Sequence, residues 1–254
     1  MLEKLLIGGG QVDEAGERLR LTLPPTSNQT YADAQLDDYH HPAGAEFEGR
    51  GVKLAHLADF PPRRMTLRAR ASHLNPVGTL GFGFWNDPFS LSGSVLSAPN
   101  SVWFFYASPP SDMALVEGVP GWGWKAATLK AGHPPRLFFI PAALAAIALT
   151  SLPGLGRPVM ATARRLVRAY ESLLEDVRLT DWHEYELEWQ TQWAVFRVDG
   201  VERLRSPAPP SGPLGFVLWI DNQYAVASRA GKFGFGLCAV SEEQWLEVEG
   251  LRLE

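Results

Sequence analysis

The sequence has very little cysteine and no excess of basic charge. Cys238 is the single cysteine in 254 residues, so no disulfide can form within the chain. Its apolar neighbourhood predicts a buried structural thiol rather than a nucleophile. The apolar run at the N-terminus is too short for a secretory signal, from which we expect a cytoplasmic protein.

The charge balance and the absence of certain motifs exclude several classes of function. Lysine and arginine number 23 against 28 aspartates and glutamates, so a phosphate-tracking, nucleic-acid-binding surface is not expected. The sequence has no phosphate-cradling glycine loop, no nucleophile elbow and no zinc pattern. Asp37, Asp38, His40 and His41 lie close together, but adjacent histidines do not share one face of a strand, which favours a polar loop over a metal site. We therefore expect no cofactor and no metal.

The sequence is rich in strand patterns. Hydrophobic residues make up 46% of the chain, and nine tryptophans and 20 prolines are typical of β-sandwiches with flat apolar clefts. Residues 64–71 alternate between basic or polar and apolar side chains, and residues 80–85 read LGFGFW, where the glycines predict a bend or a close approach to the backbone. Residues 101–108 read SVWFFYAS, apolar on both faces as in a central covered strand, and Asp199-Gly200 predicts a hairpin turn.

Residues 137–178 are the exception to this strand pattern. Residues 137–155 carry no charge, and apolar side chains then recur at helical spacing up to Val177. The pattern predicts a helical hairpin inserted into a single domain of residues 1–254. The hairpin would pack on its own domain or cover a cleft; docking on a membrane surface, on a partner or on another copy of the chain is the alternative. Pro141 and Pro153 interrupt the apolar run, so we expect no transmembrane span.

Three stretches of the chain occur in the order of a known family. One is WHEYELEWQTQWAVFRVDGV, in which a Trp-x-x-Tyr-x-x-x-Trp strand leads to an Asp-Gly turn. The earlier one is RRMTLRARASHLNPVGTLGFGFW, a basic alternating strand followed by a glycine-rich strand ending in Phe-Trp, and the last is the closing strand WLEVEGLRLE. Over residues 45–254 the chain resembles the laminarinase and lichenase group of glycoside hydrolases. The resemblance implies a concanavalin A-like jelly roll, an all-β sandwich of two antiparallel sheets.

The resemblance fails where the chemistry of that family would be. In the family, the strand after Phe-Trp carries a Glu-x-Asp-x-Glu or Glu-x-Asp-x-x-Glu run that supplies nucleophile, helper and acid. Here no carboxylate occurs between Pro88 and Ser111, and the corresponding strand is SVWFFYAS. No catalytic residue carries over, so nothing would attack the anomeric carbon or protonate the leaving oxygen. A hydrolase of the usual type is therefore not expected.

Three glutamates of the late hairpin raise the question of an alternative active site: Glu184, Glu186 and Glu188. Paired carboxylates are what a glycosidase uses for acid, base and nucleophile. The same spacing describes the solvated face of a strand whose opposite row faces the core: His183, Tyr185, Leu187 and Trp189. We favour the surface interpretation, with the glutamates paired to Arg197 or Arg203 on neighbouring strands.

Tryptophans with polar neighbours mark the candidate ligand-binding residues. The segments WNDP and WIDNQY each place a stacking plane beside hydrogen-bonding groups, and GWGWK frees its backbone with glycines. Strand-ending turns and core packing are the competing interpretations of each segment. The predicted ligand-binding residues are Trp85, Asn86, Asp87, Trp103, Tyr106, Trp122, Trp124, Lys125, Trp219, Asp221 and Asn222.

The sequence thus predicts a binding cleft without the hydrolytic chemistry of the family. The apolar strand SVWFFYAS favours an apolar or amphiphilic ligand, and a saccharide is the competing ligand class. The alternative is an enzyme with relocated acids, for which Asp87, Asp112 or Asp221 would have to converge across the cleft. Their carboxyls would lie about 5 Å apart in a retaining enzyme and about 6.5–9.5 Å apart in an inverting one.

Overall fold

The computed structural model describes residues 2–39, 57–87, 99–131, 158, 167–228 and 232–254, and these residues form sixteen strands. The strands, in chain order, are β1 Glu3–Ile7, β2 Gln11–Ala15, β3 Arg18–Leu23, β4 Asp33–Asp37, β5 Arg63–Ala71, β6 Thr79–Trp85, β7 Asn100–Ala107, β8 Gly123–Ala131, β9 Val167–Leu173, β10 His183–Trp189, β11 Ala194–Val198, β12 Val201–Ser206, β13 Gly215–Asp221, β14 Gln223–Ala227, β15 Phe233–Leu237 and β16 Gln244–Leu253.

Two seven-stranded sheets make up most of the structure. Sheet A has the strand order β1-β4-β13-β6-β7-β8-β9, and sheet B has the order β12-β11-β10-β5-β16-β3-β2. All of these neighbours pair antiparallel, and β14 and β15 form a separate two-stranded sheet. The predicted all-β sandwich of two antiparallel sheets is confirmed, while the jelly-roll connectivity stays a prediction.

The core forms where the inner faces of the two sheets meet. Alternate residues of β6 and β10 are fully buried, because side chains of a strand point to opposite faces in turn. Phe82 of sheet A meets Tyr185 of sheet B edge to face, with ring centroids 5.1 Å apart. Cys238 is a buried free thiol, as the sequence predicts, and burial raises its pKa.

Most of the predicted strand patterns are confirmed. In β5 the apolar row from Met65 to Ala71 is buried, and SVWFFYAS forms β7 in the middle of sheet A. Asp199 and Gly200 have positive φ angles of 51° and 75°, the geometry that joins the paired strands β11 and β12. The closing strand β16 lies between β5 and β3.

The predicted helical hairpin at residues 137–178 is wrong where the structure describes that segment. Val167–Leu173 is the edge strand β9 of sheet A, which pairs with β8 in regular antiparallel register. Its partly buried residues satisfy a helical and an alternating pattern equally, and pairing with the free edge of β8 decides between them. Residues 137–157 and 159–166 lie outside the described residues, and membrane or self-association through the hairpin has no support.

Among the residues that the structure describes, no helix is long and apolar enough to cross a membrane.

Candidate functional site

Four aromatic rings cover the middle of sheet A on its outer face, the face turned away from sheet B. This aromatic platform consists of Trp85, Trp103, Phe105 and Trp219. The Trp103 ring lies 5.1 Å from Phe105 and 5.3 Å from Trp219, centroid to centroid. Trp219 is nearly buried, whereas the other three rings are partly exposed. Two pairs of these rings, Trp103 with Phe105 and Trp85 with Trp219, are stacked on each other. The platform therefore offers clustered apolar ring surface on a sheet face that is not part of the core.

Glycines in the strands below allow the rings to lie against the sheet. A Cβ on Gly81 of β6 would come within 2.8 Å of the Trp219 ring, and one on Gly215 of β13 within 2.4 Å of the Tyr39 ring. Real Cβ atoms do not approach so closely, so only glycine leaves room for these rings. The sequence prediction that the LGFGFW glycines permit a close approach is thus explained by the Trp219 ring.

Hydrogen bonds hold two of the indole rings in place. The Trp85 Nε1–H group donates to the Tyr39 hydroxyl at 2.6 Å, and the Gln35 amide donates to the same oxygen at 3.3 Å. The Trp219 Nε1–H group donates to Thr79 Oγ1 at 2.9 Å, and the Thr79 hydroxyl donates to Asp221 Oδ1 at 2.7 Å. Both indole N–H groups are directed to partners on the sheet, so the ring orientations are fixed in advance of any ligand.

A row of polar side chains borders the platform on β4. Asp33, Gln35 and Asp37 lie on the same face, at the register positions opposite Asp221, Trp219 and Val217 of β13. All three are nearly or fully buried, and the Gln35 amide donates to Asp37 at 2.8 Å. Burial raises the pKa of Asp221 to about 6 and raises that of Asp33 well above its usual range. This row stabilises the platform from the side and presents little surface to solvent.

A buried ion pair borders the platform on the opposite side. Lys125 of β8 lies opposite Phe105, and its Nζ is 3.7 Å from Glu171 Oε1 on β9. Burial lowers the pKa of Lys125 and raises that of Glu171, and for both groups it outweighs the attraction of the partner. Lys125 also donates to the Pro120 carbonyl oxygen, so it holds the loop before β8.

The structure brings together some of the predicted ligand-binding residues and separates others. Trp85, Trp103, Lys125, Trp219 and Asp221 lie on the outer face of sheet A at adjacent register positions. Tyr106 and Trp124 do not belong with them, because both side chains point to the other side of the sheet and are buried in the core. Side chains of a strand point to opposite faces in turn. Tyr106 is three residues from Trp103, and Trp124 is one residue from Lys125, so both point inward.

The remaining predicted ligand-binding residues lie at strand ends. Asn86 follows β6, and its side-chain oxygen accepts from the Asn100 backbone N–H at 2.8 Å. Asp87 is nearly buried at a positive φ of 41°, and Trp122 is 46% exposed in the loop before β8. Asn222 is fully buried and bonds to three backbone groups, those of Thr30, Ala32 and Cys238, so its role is to join loops.

One ring of the platform and three residues that hold or border its rings were not predicted. Phe105 has the same parity as Trp103 within SVWFFYAS, and that signal was sufficient to find it. Tyr39, Thr79 and Gln35 contribute through cross-strand neighbours, which the register between β4, β13 and β6 determines. Within the described segments no group of three or more histidine, cysteine, aspartate or glutamate side chains could hold a metal ion, and His40 and His41 lie outside them.

The three glutamates of β10 are surface residues, as predicted. Glu186 lies 2.9 Å from Arg64 and 3.3 Å from Arg197, and Glu188 lies 3.0 Å from Arg197. They are on the outer face of sheet B, whereas Tyr185 and the other apolar residues of β10 are buried. Because Glu186 and Glu188 are paired with arginines on neighbouring strands, they form a cross-strand ion-pair ladder, and Glu184 is exposed at the start of the same row.

Comparison with known proteins supports the fold alone. No protein-family model matches the chain, and no curated protein sequence does. A legume lectin-like domain from Entamoeba histolytica is 8% identical, with a TM-score of 0.50 over 100% of this chain and 89% of that chain. The fold is concanavalin A-like.

Two hydrolase structures have slightly lower TM-scores. A β-glucanase from Bacillus licheniformis is 11% identical, with a TM-score of 0.48 over 99% of this chain and 91% of that chain. A GlcNAcα1-4Gal-releasing endo-β-galactosidase from Clostridium perfringens is 11% identical, with a TM-score of 0.47 over 94% of this chain. The chain spans about half of that enzyme, 53% of its length. The concanavalin A-like fold that the sequence resemblance implies is thus supported by the lectin-like domain.

Proposed function

We propose that the aromatic platform binds a saccharide by stacking, without hydrolysing it. The observation that carries this proposal is the set of four rings on one sheet face, with two indole N–H groups already bonded to the sheet. Rings fixed in this way keep their remaining exposed apolar surface in one orientation, and the apolar face of a pyranose ring can pack against such a surface. A lectin-like domain is among the structures with this fold, which agrees with binding.

The positions of the acids argue against hydrolysis at this site. On the outer face of β7, where the resemblance implies the catalytic acids, stand Ser101, Trp103, Phe105 and Ala107. Asp221 lies opposite Thr79 at the start of β6, and Asp87 follows the end of that strand. Eight residues of strand correspond to roughly 26 Å, well beyond the roughly 9.5 Å limit for a pair of glycosidase acids. Asp33 and Asp221 do lie opposite each other, but both are nearly or fully buried and so are not available to a ligand.

The charges around the platform restrict the class of saccharide. Asp33, Asp37 and Asp221 border one side, and the cation on the other side, Lys125, is paired with Glu171. An anionic glycan would meet an excess of negative charge that the described residues do not compensate. The proposed ligand is therefore an uncharged saccharide, with an amphiphile that carries a neutral head group as the second candidate. The apolar character of the platform supports the second candidate equally.

Titration of the purified protein with defined ligands tests this proposal. Isothermal titration calorimetry would compare laminarihexaose, cellohexaose, a hexamer of galacturonic acid, and dodecyl maltoside below its critical micelle concentration. We expect binding of at least one neutral hexasaccharide and none of the galacturonic acid oligomer. Binding of dodecyl maltoside and of no oligosaccharide would identify an amphiphile as the ligand class. Release of reducing ends from any oligosaccharide would contradict a non-hydrolytic role.

Variants of single aromatic residues locate the site. Trp103→Ala removes the ring that contacts three others and should lower affinity at least tenfold, because stacked aromatic contacts contribute about 1–3 kcal/mol each. Trp193→Ala is the matched control, since Trp193 lies beside Arg205 at the other sheet. Equal loss in both variants would show that binding does not occur on the platform. Trp122→Ala tests whether the exposed tryptophan of the loop before β8 contributes.

A further inference from the structure

Two buried carboxyls at one end of the outer face of sheet A require an explanation beyond stacking. Asp33 and Asp221 lie directly opposite each other on the adjacent strands β4 and β13. Asp33 is 1% exposed and Asp221 is 7% exposed. Side chains in this position have Cβ atoms about 4.5–5.5 Å apart. Two ionised carboxylates at that separation and burial repel each other strongly, so the pair retains at least one proton.

The hydrogen bonds show which carboxyl carries that proton. Asp221 Oδ1 accepts from the Thr79 hydroxyl at 2.7 Å and from the Gln223 backbone N–H at 3.1 Å, and both bonds favour the ionised form. Both oxygens of Asp33 are buried and, among the described residues, have no partner at hydrogen-bonding distance and angle. The Tyr31 hydroxyl beside Asp33 lowers its pKa, but burial and the charge of Asp221 raise it more. Asp33 is thus the protonated member.

The groups around this pair do not supply a compensating cation. Asp37 of β4 adds negative charge that raises the pKa of Asp33 further. Tyr31 lies beside both carboxyls, and burial followed by the charge of Asp221 raises the pKa of the Tyr31 hydroxyl. Burial and then Asp221 raise the pKa of the Cys238 thiol. In the part of the chain that the structure describes, no lysine, arginine or histidine is among the groups acting on either carboxyl.

The pair is connected to the platform through one hydroxyl. Thr79 has a single hydroxyl hydrogen, which it donates to Asp221, and it then turns a lone pair towards the Trp219 Nε1–H group 2.9 Å away. A charged acceptor binds that hydrogen about twice as strongly as a neutral one. When Asp221 becomes protonated, the hydroxyl is free to rotate, and the bond to the Trp219 indole weakens.

We propose that Asp33 holds a proton that Asp221 lacks at neutral pH, and that protonation of Asp221 controls how firmly Thr79 holds the Trp219 ring. Asp33, Asp221 and Thr79 are positioning residues that act through Trp219. The ring is held firmly when Asp221 is ionised, because Thr79 then donates its hydrogen to a charged acceptor. Acid protonates Asp221 and releases the ring, whereas ionisation of Asp33 leaves the bond from Thr79 to Asp221 in place. Only the consequence for ligand affinity rests on the proposed function.

The indole resonances of tryptophan test the coupling without any ligand. The full chain, labelled with ¹⁵N-tryptophan, is titrated between pH 4.5 and 9, and the Trp219 Nε1–H signal is assigned by its loss in Trp219→Phe. We expect this signal to titrate with a midpoint near 6, where the pKa of Asp221 lies. The Trp245 signal on sheet B should not share this midpoint. A pH-independent Trp219 signal would overturn the proposal.

Variants separate the coupling from a merely structural role. Asp221→Asn keeps an oxygen that accepts both hydrogen bonds but cannot titrate, so the acid midpoint should disappear while the chain still folds. Asp33→Asn removes the other carboxyl and should leave the acid midpoint of the Trp219 signal in place. An unchanged Trp219 titration in Asp221→Asn would contradict the proposal. Circular dichroism spectra of each variant check that the sheets remain intact.

Affinity measurements distinguish failure of this inference from failure of the proposed function. Thr79→Val should weaken binding of laminarihexaose or cellohexaose about tenfold at pH 7, the equivalent of one hydrogen bond, and Thr79→Ser should restore it. If the wild-type protein binds neither hexasaccharide, the proposed function fails, and the indole titration still decides the coupling. If it binds with the same affinity from pH 5 to 8 and in Thr79→Val, the coupling fails and the proposed function stands.

Discussion

The outer faces of the two sheets are built from different chemistry, although both contain tryptophan and acidic residues. On sheet A the rings lie over glycines, and in the described part of the chain no cation acts on the buried carboxyls of Asp33 and Asp221. On sheet B arginines and glutamates alternate across the strands, as in the contact of Arg70 with Glu247 at 2.7 Å. The charges of sheet B are compensated by neighbours, whereas on sheet A the described residues pair Glu171 with Lys125 but provide no cation for Asp33 and Asp221.

The tryptophans of sheet B are covered by arginines. Arg70 lies 4.9 Å from the centroid of Trp182 and 5.3 Å from that of Trp245, and Arg20 lies 4.5 Å from Trp245. Such cation–π contacts occupy the ring faces that a sugar would need. An abundance of tryptophan therefore does not identify a binding site by itself. What distinguishes the platform is that, among the described residues, its rings contact each other and the backbone rather than a cation.

A methyl group at Gly81 is the largest expected disruption of the platform. In Gly81→Ala the new Cβ would come within 2.4 Å of the Phe104 carbonyl oxygen and 2.8 Å of the Trp219 ring. We expect the free energy of unfolding to fall by about 3 kcal/mol, the upper end of typical overpacking costs, and saccharide binding to be lost. Urea denaturation measures the first effect. Gly234→Ala is the control, because nothing lies within 4 Å of the corresponding Cβ, and an equal loss there would contradict the packing argument.

The uncompensated carboxyls of sheet A should make stability depend on pH. The pKa of Asp221 is raised from 3.8 to about 6 in the folded protein, so its protonation favours folding. This contribution is complete below the unfolded pKa and is lost as the pH rises through about 6. Relative to Asp221→Asn, the wild-type protein should lose about 2–3 kcal/mol of stability between pH 3.8 and 7.5. Thermal denaturation across this range measures the difference, and a constant difference would contradict the prediction.

The compensated charges of sheet B should matter much less. Arg70→Gln removes a contact with Glu247, whose side chain is 5% exposed, while that of Arg70 is 33% exposed. We expect a loss of about 0.5–1 kcal/mol, which decreases in high salt because partly exposed pairs are screened. A double-mutant cycle with Glu247→Gln isolates the pair. Saccharide affinity should stay unchanged, and a change would place the ligand on sheet B.

The glutamates of β10 should contribute least. Glu186→Gln weakens contacts with Arg64 and Arg197 on the surface of sheet B. We expect a change in stability below about 0.5 kcal/mol, as for most surface pairs, and no change in ligand affinity. Calorimetric titration of this variant beside the wild-type protein is the measurement. A loss of binding would restore the interpretation of these residues as an active site.

Much of the fold follows from local pattern in the sequence. Alternation along β5 and β10 predicts both the strands and the buried rows, because one face of each strand must enter the core. The Asp199-Gly200 turn is equally local. The error at Val167–Leu173 arises because an apolar segment with mixed periodicity depends on a partner strand, here the edge of β8. Nothing within the segment itself shows that this partner is available.

The candidate site was predictable only in part, for a related reason. Trp85, Trp103 and Trp219 are conspicuous as residues, but the distinction between outer and inner rows separates them from Tyr106 and Trp124. Thr79 and Asp33 acquire their roles from residues more than 130 positions away, through the register of β13 with β6 and β4. Register is a property of the assembled sheet, so these contacts could not be found from one strand at a time.

The contact of the Trp219 ring with Gly81 also has a consequence for the solvent. An indole lying directly on the backbone shields the adjacent interstrand N–H···O=C bonds of β6 and β13 from water, as an inward side chain would on the other face. Amide protons in this part of sheet A should therefore exchange with deuterium only when the whole sheet opens. A face that offers its rings to a ligand would then also be the slowest-exchanging part of the molecule.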